Sequence, residues 1–431
     1  MAMFLIYQEK KTGAATLNGY YKGKAIAFFS DVFPRYTETL SYREYLQLEK
    51  FGVHLVPIAL KRNTPGPLPN EAIGILEKTQ VIRQMGYGRK LSRHLLSLIS
   101  HPILYPRTLL LQWLMAFIKP HRLFHYLQDF WNGILLVQLL RQKNIEHVHV
   151  HHVQRAAAAA LVAHRMTGIP YSLTVYASDL ATIDSYRYII LKNAAFIVCL
   201  SQRQKKMLLQ VAPDLSEDNI KVLRPGVDLK QFSPRPKTPG LLHQYRLLTV
   251  TKLTPEKGLE LLLHSCKILD ARGLNFEAII IGEGPEKERL QAITNEMRLN
   301  HRIRFSGARR MEEIIEAMAR ADLFVYPFPG ERGSGADAVT MPMIEAMAMG
   351  IPIITTPAEG IQELVDETTG RLIKKLDAVV LADTIEELLT QSFIRTELGE
   401  AARKRIEKRY NLEKNAKHLM NLFGVLPPEE V

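Results

Sequence analysis

The sequence contains little cysteine, since only Cys199 and Cys266 occur among its 431 residues. Each stands inside an apolar segment, so we expect two buried thiols and no disulfide framework, as is usual in a reducing cytoplasm. The amino terminus also lacks the length and the basic segment of a secretory signal. The sequence therefore predicts a cytoplasmic protein.

A long uninterrupted apolar run is absent as well. The segment 91–141 is rich in leucine and aromatic residues, but a membrane-spanning helix needs about 20 mostly apolar residues in a row. The windows of that length that begin at residues 91–120 are interrupted by Pro102, Pro106, Arg107, Lys119 or Pro120. The pattern predicts basic amphipathic helices near 108–118 and 122–141, broken at Pro120. These helices would cover the sheet of their domain, insert partly into a lipid interface, or do both.

Acidic residues are scarce in the first half of the chain. Residues 1–236 contain 30 Lys and Arg but 15 Asp and Glu, a net charge of +15, whereas the remainder has a net charge of −3. A cationic surface attracts anionic lipid or an anionic glycan. The basic residues are dispersed and no RNA-binding or helix-turn-helix motif occurs, so nucleic acid is not expected as a partner.

Strand and helix patterns alternate through 247–370, and loops rich in glycine or charge follow the apolar runs. In folds of this kind, ligands bind at loops that follow the carboxyl ends of parallel strands. Lys252 and Lys257 flank the start of one predicted helix, where free backbone N–H groups and the helix dipole attract phosphate. The length and 47% hydrophobic content are enough for two such domains.

Several motifs occur in the same order as in the retaining glycosyltransferases of family 4, which the chain resembles over about 24–375. FFSDVFPRYTETLSYREYLQLEKFGVHL resembles the Phe-Pro-x-x-Ser-Glu-Thr-Phe loop of the branch that makes polysaccharides of the colanic-acid type. HVHVHHVQRAAAAALVAHRMTGIPYSLTVYASDL, KVLRPGVDLKQFSP and TPEKGLELLLHSC then follow in the family's order. The resemblance implies an α/β protein with the GT-B fold, in which two Rossmann-like domains face each other across a cleft.

The resemblance also implies a set of donor-binding residues. Lys252 and Lys257 would hold the diphosphate of a nucleoside-diphosphate sugar, although the family usually has Arg at the position of Lys252. Lysine keeps the charge but lacks the bidentate fork. Glu345 would accept hydrogen bonds from the ribose hydroxyls. Gly282 and Gly284 would let the backbone approach the nucleotide.

Two further positions depart from the family pattern. Asp337 stands where the family usually has Glu near the donor sugar, and Glu331 is the alternative carboxylate. Tyr176 replaces a family His that contacts the donor sugar, so we expect either a catalytic role or a structural one in which Asp179 caps the next turn. The opposite wall of the cleft would be lined by Thr37, Glu38 and Thr39.

Histidines are crowded into one predicted strand and its end: His147, His149, His151 and His152. Three of them share a strand face, but no nearby Cys or carboxylate completes a ligand shell, so we do not predict a metal site. In the GT-B fold, cationic side chains and a helix end stabilise the leaving group. We therefore expect no cofactor and no metal requirement.

The proline-rich segment 224–239 is the best candidate for a linker. The predicted organisation is an acceptor-side domain at 1–232, a nucleotide-sugar domain at 240–410, and a helix at 411–431 that returns to the first domain.

The resemblance thus implies a retaining hexosyltransferase that acts on a glycan or lipid-linked acceptor, peripherally at the inner face of the membrane. The changes at Tyr176, Lys252 and Asp337 motivate an alternative, a catalytically degenerate scaffold that binds a nucleotide-sugar or glycan. A sugar epimerase of the same fold is a third hypothesis.

Overall fold

The computed structural model describes residues 25–35, 38–63, 70–234, 244–329, 339–358 and 360–425. The chain divides into two compact units. Unit 1 comprises Met1–Arg224 together with Glu413–Val431, and unit 2 comprises Pro225–Leu412.

Unit 1 is built on a parallel sheet of seven strands in the order β3-β2-β1-β4-β5-β6-β7. The strands are β1 (Ala25–Val32), β2 (Leu55–Lys61), β3 (Gln80–Val81), β4 (Ile145–His151), β5 (Tyr171–Val175), β6 (Ile197–Cys199) and β7 (Ile220–Val222). Alternate residues of β1 belong to two hydrophobic clusters, one on each face of the sheet. Burial on both faces explains why β1 and β2 are almost continuously apolar.

The helices of unit 1 include a leucine-rich group of three between β3 and β4. They are α1 (Thr39–Lys50), α2 (Asn70–Lys78), α3 (Tyr87–Ser100), α4 (Leu104–Ile118), α5 (Leu123–Gln142), α6 (Arg155–Thr167), α7 (Ala177–Leu180), α8 (Ser185–Lys192) and α9 (Gln202–Val211). The alanine-rich α6 is almost wholly buried and ends at Gly168, whose φ of 76° is in the left-handed region that favours glycine.

Unit 2 contains a parallel sheet of six strands in the order β10-β9-β8-β11-β12-β13. Its strands are β8 (Tyr245–Val250), β9 (Phe276–Ile281), β10 (Ile303–Gly307), β11 (Leu323–Tyr326), β12 (Ile353–Thr355) and β13 (Gly370–Leu372). Its helices are α10 (Leu259–Ala271), α11 (Lys287–Glu296), α12 (Met311–Arg320), α13 (Met341–Ala348), α14 (Ile361–Leu364), α15 (Ala378–Thr390) and α16 (Ser392–Arg409).

Both sheets have the strand order of a Rossmann fold, with the third, second and first strands on one side and the later strands on the other. The predicted fold class, α/β with two Rossmann-like domains, is therefore confirmed. The last helix, α17 (Leu412–Leu422), leads the chain back into unit 1. There the ring of Phe423 packs 5.3 Å from the ring of His147.

Candidate functional site

The two lysines that were predicted to bind phosphate lie in the segment that connects β8 to α10. After Val250 the chain passes through Lys252 into a 3-10 turn, Pro255–Lys257, and α10 begins two residues later. Lys252 is exposed, and Lys257 is half-buried with its Nζ 5.3 Å from the ring centroid of Phe328. This places two cations at the carboxyl edge of the sheet, beside a helix amino terminus, an arrangement that favours binding of phosphate.

Gly282 and Gly284, which were predicted to let the backbone approach the nucleotide, have a packing role in the same region. Gly282 has a φ of 146°, and a Cβ at Gly282 or Gly284 would collide with the carbonyl oxygen of Thr251 or Leu253, respectively. The N–H of Leu253 donates to the carbonyl of Glu283 at 2.9 Å, which ties the two loops together. The glycines therefore allow the loop after β9 to press against the loop that carries Lys252. Their contact with a nucleotide stays a prediction.

Glu345 lies in α13, the helix that follows β11, and β11 is the strand beside β8. The residue is 2% exposed, so its side chain is held within the fold of unit 2. Its helix thus starts from the same edge of the sheet as the two lysines. Asp337 and its alternative Glu331 fall in 330–338, outside the described residues.

A second polar cluster occupies the carboxyl edge of the unit 1 sheet. His152, just after β4, has a φ of 70°, and its imidazole lies between two carboxylates. Nδ1 is 3.3 Å from Asp179 Oδ2, and Nε2 is 3.6 Å from Glu38 Oε2. Burial by itself would lower the pKa of His152, but the two carboxylates outweigh it and raise that pKa to about 9. The imidazole is therefore positively charged at neutral pH.

Tyr176 belongs to this cluster. Its ring stacks on the ring of His152 with the centroids 3.9 Å apart, and its hydroxyl lies 3.0 Å from Nδ1 of His151. Its backbone N–H donates to Asp179 at 3.0 Å, so the capping role that we considered for Asp179 is present. Thr39 is the first residue of α1 and Glu38 precedes it, whereas Thr37 is outside the described residues.

The histidines of β4 are matched by hydroxyl groups on the neighbouring strand β5. Ser172 Oγ lies 2.7 Å from His147 Nε2 and 2.8 Å from His149 Nδ1, and Thr174 Oγ1 lies 3.0 Å from His149 Nε2. Burial lowers the pKa of His147 to about 3 and that of His149 well below its usual value. These rings are therefore neutral hydrogen-bonding groups of the core.

The expectation that no carboxylate lies near these histidines was wrong. Glu44 from α1 places Oε1 3.4 Å from His151 Nε2 and 3.8 Å from His149 Nε2. The three potential ligand atoms lie within 4.8 Å of one another, a grouping that could hold a metal ion. Burial raises the pKa of Glu44 to about 7. A protonated Glu44 side chain is therefore an alternative to a metal ion as the reason why these three groups lie together. The absence of a metal requirement stays a prediction.

The association of His152 with Glu38 and Asp179 was not predicted from the sequence. The sequence positions of the three residues could have indicated it, because all three follow strands whose carboxyl ends share one edge of a parallel sheet. Their side chains still had to be brought together by a fold that the sequence pattern alone does not specify.

Comparisons with known families agree with this architecture. The family model described as Glycosyltransferase Family 4 matches residues 111–231, and the one described as Glycosyl transferases group 1 matches residues 235–405. The first relative is a putative colanic acid biosynthesis glycosyltransferase, WcaL of Escherichia coli, which is 30% identical over 48% of this chain and 52% of its own length. The chain thus spans about half the length of this relative. A putative teichuronic acid biosynthesis glycosyltransferase of Bacillus subtilis, TuaC, is 23% identical over 89% of this chain and 93% of its own.

Solved structures share the fold over almost the whole chain. A glycosyltransferase from Rickettsia africae superposes with a TM-score of 0.67 at 15% identity, covering 93% of this chain and 98% of its own. Anabaena HepE, solved with UDP and glucose, gives a TM-score of 0.65 at 15% identity, covering 94% and 100%. The two family models together match about two thirds of the chain, and with the two Rossmann-like units they lead to one assignment: the chain belongs to glycosyltransferase family 4 and has the GT-B fold.

Proposed function

We propose that the protein is a retaining hexosyltransferase. It moves a sugar from a nucleoside-diphosphate sugar to a hydroxyl group of a glycan or lipid-linked acceptor, in the biosynthesis of a polysaccharide or glycoconjugate. The observation that carries the proposal is the pair Lys252 and Lys257 beside the start of α10.

The chemistry of the leaving group supports this assignment. Negative charge grows on the nucleoside diphosphate as the bond to the sugar breaks, and fixed cations near a helix amino terminus stabilise that charge. Lys252 and Lys257 would supply the cations without a metal, and Glu345 would hold the ribose. Asp337 and Tyr176 would contact the donor sugar, and Thr39 would line the acceptor side.

The relatives support a nucleotide-sugar donor and leave its base open. HepE was solved with UDP and glucose, whereas a Corynebacterium glutamicum relative of 27% identity is named as a GDP-mannose-dependent mannosyltransferase. Other relatives are named as glycosyltransferases of colanic acid, amylovoran and teichuronic acid biosynthesis. We propose that this chain acts in the cytoplasm on a polymer precursor of the same kind, at the inner face of the membrane.

One contact favours the alternative of a degenerate scaffold. The hydroxyl of Tyr176 lies within hydrogen-bond distance of His151, and its ring stacks on His152, so this side chain is already engaged by the protein. A scaffold would bind the nucleotide-sugar without transferring the sugar.

The discriminating experiment is a transfer assay with labelled UDP- and GDP-sugars and a lipid extract as the source of acceptor. We expect transfer from one donor, and we expect Lys257→Ala to reduce it by roughly a hundredfold through loss of charge stabilisation. Lys267→Ala, on the exposed side of α10, is the matched control and should keep full activity. Tight donor binding without any transfer would favour the scaffold, and an unchanged rate in Lys257→Ala would contradict the proposed donor site.

A further inference from the structure

Helix α3 of unit 1 buries polar residues and exposes apolar ones, an arrangement that we call inverted. The residues that it buries against the protein are His94 and Ser97, and these are polar. His94 Nδ1 lies 3.0 Å from the Tyr105 hydroxyl, and Ser97 Oγ accepts a hydrogen bond from Gln138 at 3.2 Å. The large apolar side chains of the same helix are exposed: Tyr87, Leu91, Leu95, Leu96, Leu98 and Ile99. A helix that lies on a protein core in water has the opposite pattern.

Helix α4 repeats the inversion in part, since it buries polar residues together with the apolar Met115. Thr108 and Gln112 are buried, and the side-chain oxygen of Gln112 accepts a hydrogen bond from the Tyr186 hydroxyl at 2.9 Å. Leu110, Trp113 and Phe117 are exposed. The rings of Trp113 and Phe117 pack edge to face with their centroids 4.7 Å apart, so the two aromatic residues form one exposed group.

These two helices pack together with α5. His94 links them, because its ring contacts Tyr105 of α4 and stacks on Trp131 of α5 with a centroid distance of 3.8 Å. Phe124, in the first turn of α5, is 72% exposed. We call the exposed set the α3–α5 apolar surface: Tyr87, Leu91, Leu95, Leu96, Leu98, Ile99, Ile103, Leu110, Trp113, Phe117 and Phe124.

The charged residues within the segment that forms this surface have a single sign, although Lys119 and Arg122 are paired with Asp184 from outside it, at 3.1 and 2.7 Å. Between residues 78 and 128 the sequence contains eight Lys and Arg and no Asp or Glu. In a symmetric dimer the same patch would face itself and would bring like charges together, so a second copy is a poor occupant. An anionic lipid surface accepts both the basic residues and the exposed aromatic rings. Among the described helices, none is both long and apolar enough to cross a bilayer.

We propose that the α3–α5 apolar surface docks the protein onto an anionic lipid bilayer. Trp113, Phe117 and Phe124 enter the interface between headgroups and acyl chains, where aromatic side chains are favoured, while Arg89 and Lys90 contact the headgroups. The inference extends the proposed function, which places the acceptor at a membrane, by naming the surface that reaches it.

The test is co-sedimentation of the full chain with vesicles of phosphatidylcholine alone or mixed with phosphatidylglycerol. We expect binding to the mixed vesicles that weakens with added salt. Phe117→Ser/Phe124→Ser should bind roughly tenfold or more weakly, because both rings leave the interface. Phe393→Ser is the matched control, since Phe393 is 73% exposed on α16 of unit 2 and should not affect binding. Arg89→Gln/Lys90→Gln should lose mainly the salt-sensitive part of the binding.

Several outcomes would overturn the proposal. The first is that the wild type and Phe117→Ser/Phe124→Ser bind the vesicles equally well, and the second is that the protein shows no preference for the anionic vesicles. The third is that the protein binds no vesicles and instead forms a dimer, which this double variant dissociates. The assay needs neither donor nor acceptor. A protein that binds vesicles but transfers no sugar would therefore contradict the proposed function alone, and a protein that transfers sugar without binding vesicles would contradict the docking surface alone.

Discussion

Nδ1 of His152 lies 3.3 Å from a carboxylate oxygen of Asp179, and this ion pair joins the end of β4 to the turn that follows β5. Glu38, which precedes α1, holds the other ring nitrogen at 3.6 Å. One imidazole thus connects the segments that follow β1, β4 and β5 at the carboxyl edge of the unit 1 sheet, and Tyr176 stacks on its ring.

His152 should make stability depend on pH in a defined window. Its pKa is raised from 6.5 to about 9, so the folded protein binds more protons than the unfolded chain between these values. The stabilisation is fully present below about pH 6.5 and is lost as the pH rises through about 9. We expect wild type to be more stable than His152→Gln by on the order of 2 to 3 kcal/mol at about pH 6, and by much less at about pH 9.5.

Urea unfolding of both proteins at the two pH values checks this expectation. His121→Gln, at an exposed position in the same unit, serves as the control for losing an imidazole. A difference between wild type and His152→Gln that does not change with pH would show that the ion pairs contribute no net stability.

The packing of the donor loops predicts the cost of replacing their glycines. A Cβ at Gly284 would collide with the carbonyl oxygen of Leu253, whereas a Cβ at Gly273 would meet open space and face only the strain of its φ of 77°. We expect Gly284→Ala to lower the free energy of unfolding by about 3 kcal/mol or more, and Gly273→Ala by about 1 to 2 kcal/mol. Equal losses in denaturant titrations would mean that the two loops are not tightly joined.

Lys252 can be improved as a diphosphate ligand if it has the expected role. Arginine offers a planar fork that binds phosphate oxygens in pairs, which lysine lacks. We expect Lys252→Arg to bind the nucleoside diphosphate as tightly as wild type or several-fold more tightly, and Lys252→Met to bind it roughly tenfold more weakly. Isothermal titration calorimetry measures both affinities, and an unchanged affinity in Lys252→Met would remove this residue from the site.

Sequence patterns were sufficient for the fold because strand and helix periods are local properties. The helices expected near 108–118 and 122–141 are α4 (Leu104–Ile118) and α5 (Leu123–Gln142), separated at Pro120 as predicted. The pattern indicated amphipathic helices but not that polar residues of α3 and α4 would face the protein. That choice depends on partners such as Gln138 and Tyr186, which are distant in sequence.

The candidate site was partly predictable for the same reason. Lys252, Lys257 and Glu345 follow strands, so the alternation of elements gave their approximate places, whereas the role of Glu345 came from the family resemblance. The contacts of Glu44 with the β4 histidines required α1 to cross a sheet face at one particular register, and nothing in the local sequence specifies that register. Side-chain contacts between distant segments are therefore the part that only the structure supplied.

The central claim, a nucleotide-sugar site in unit 2, is tested most directly by thermal unfolding of the purified protein with UDP, GDP, ADP and CMP and their common sugar conjugates. A ligand present at 100 times its Kd adds about 2.7 kcal/mol to the free energy of unfolding. We predict a rise in Tm that is selective for one nucleoside diphosphate and is lost in Glu345→Gln, which keeps the size of the buried side chain but removes its charge. The absence of a shift with every nucleotide, or an equal shift in Glu345→Gln, would contradict the proposed site.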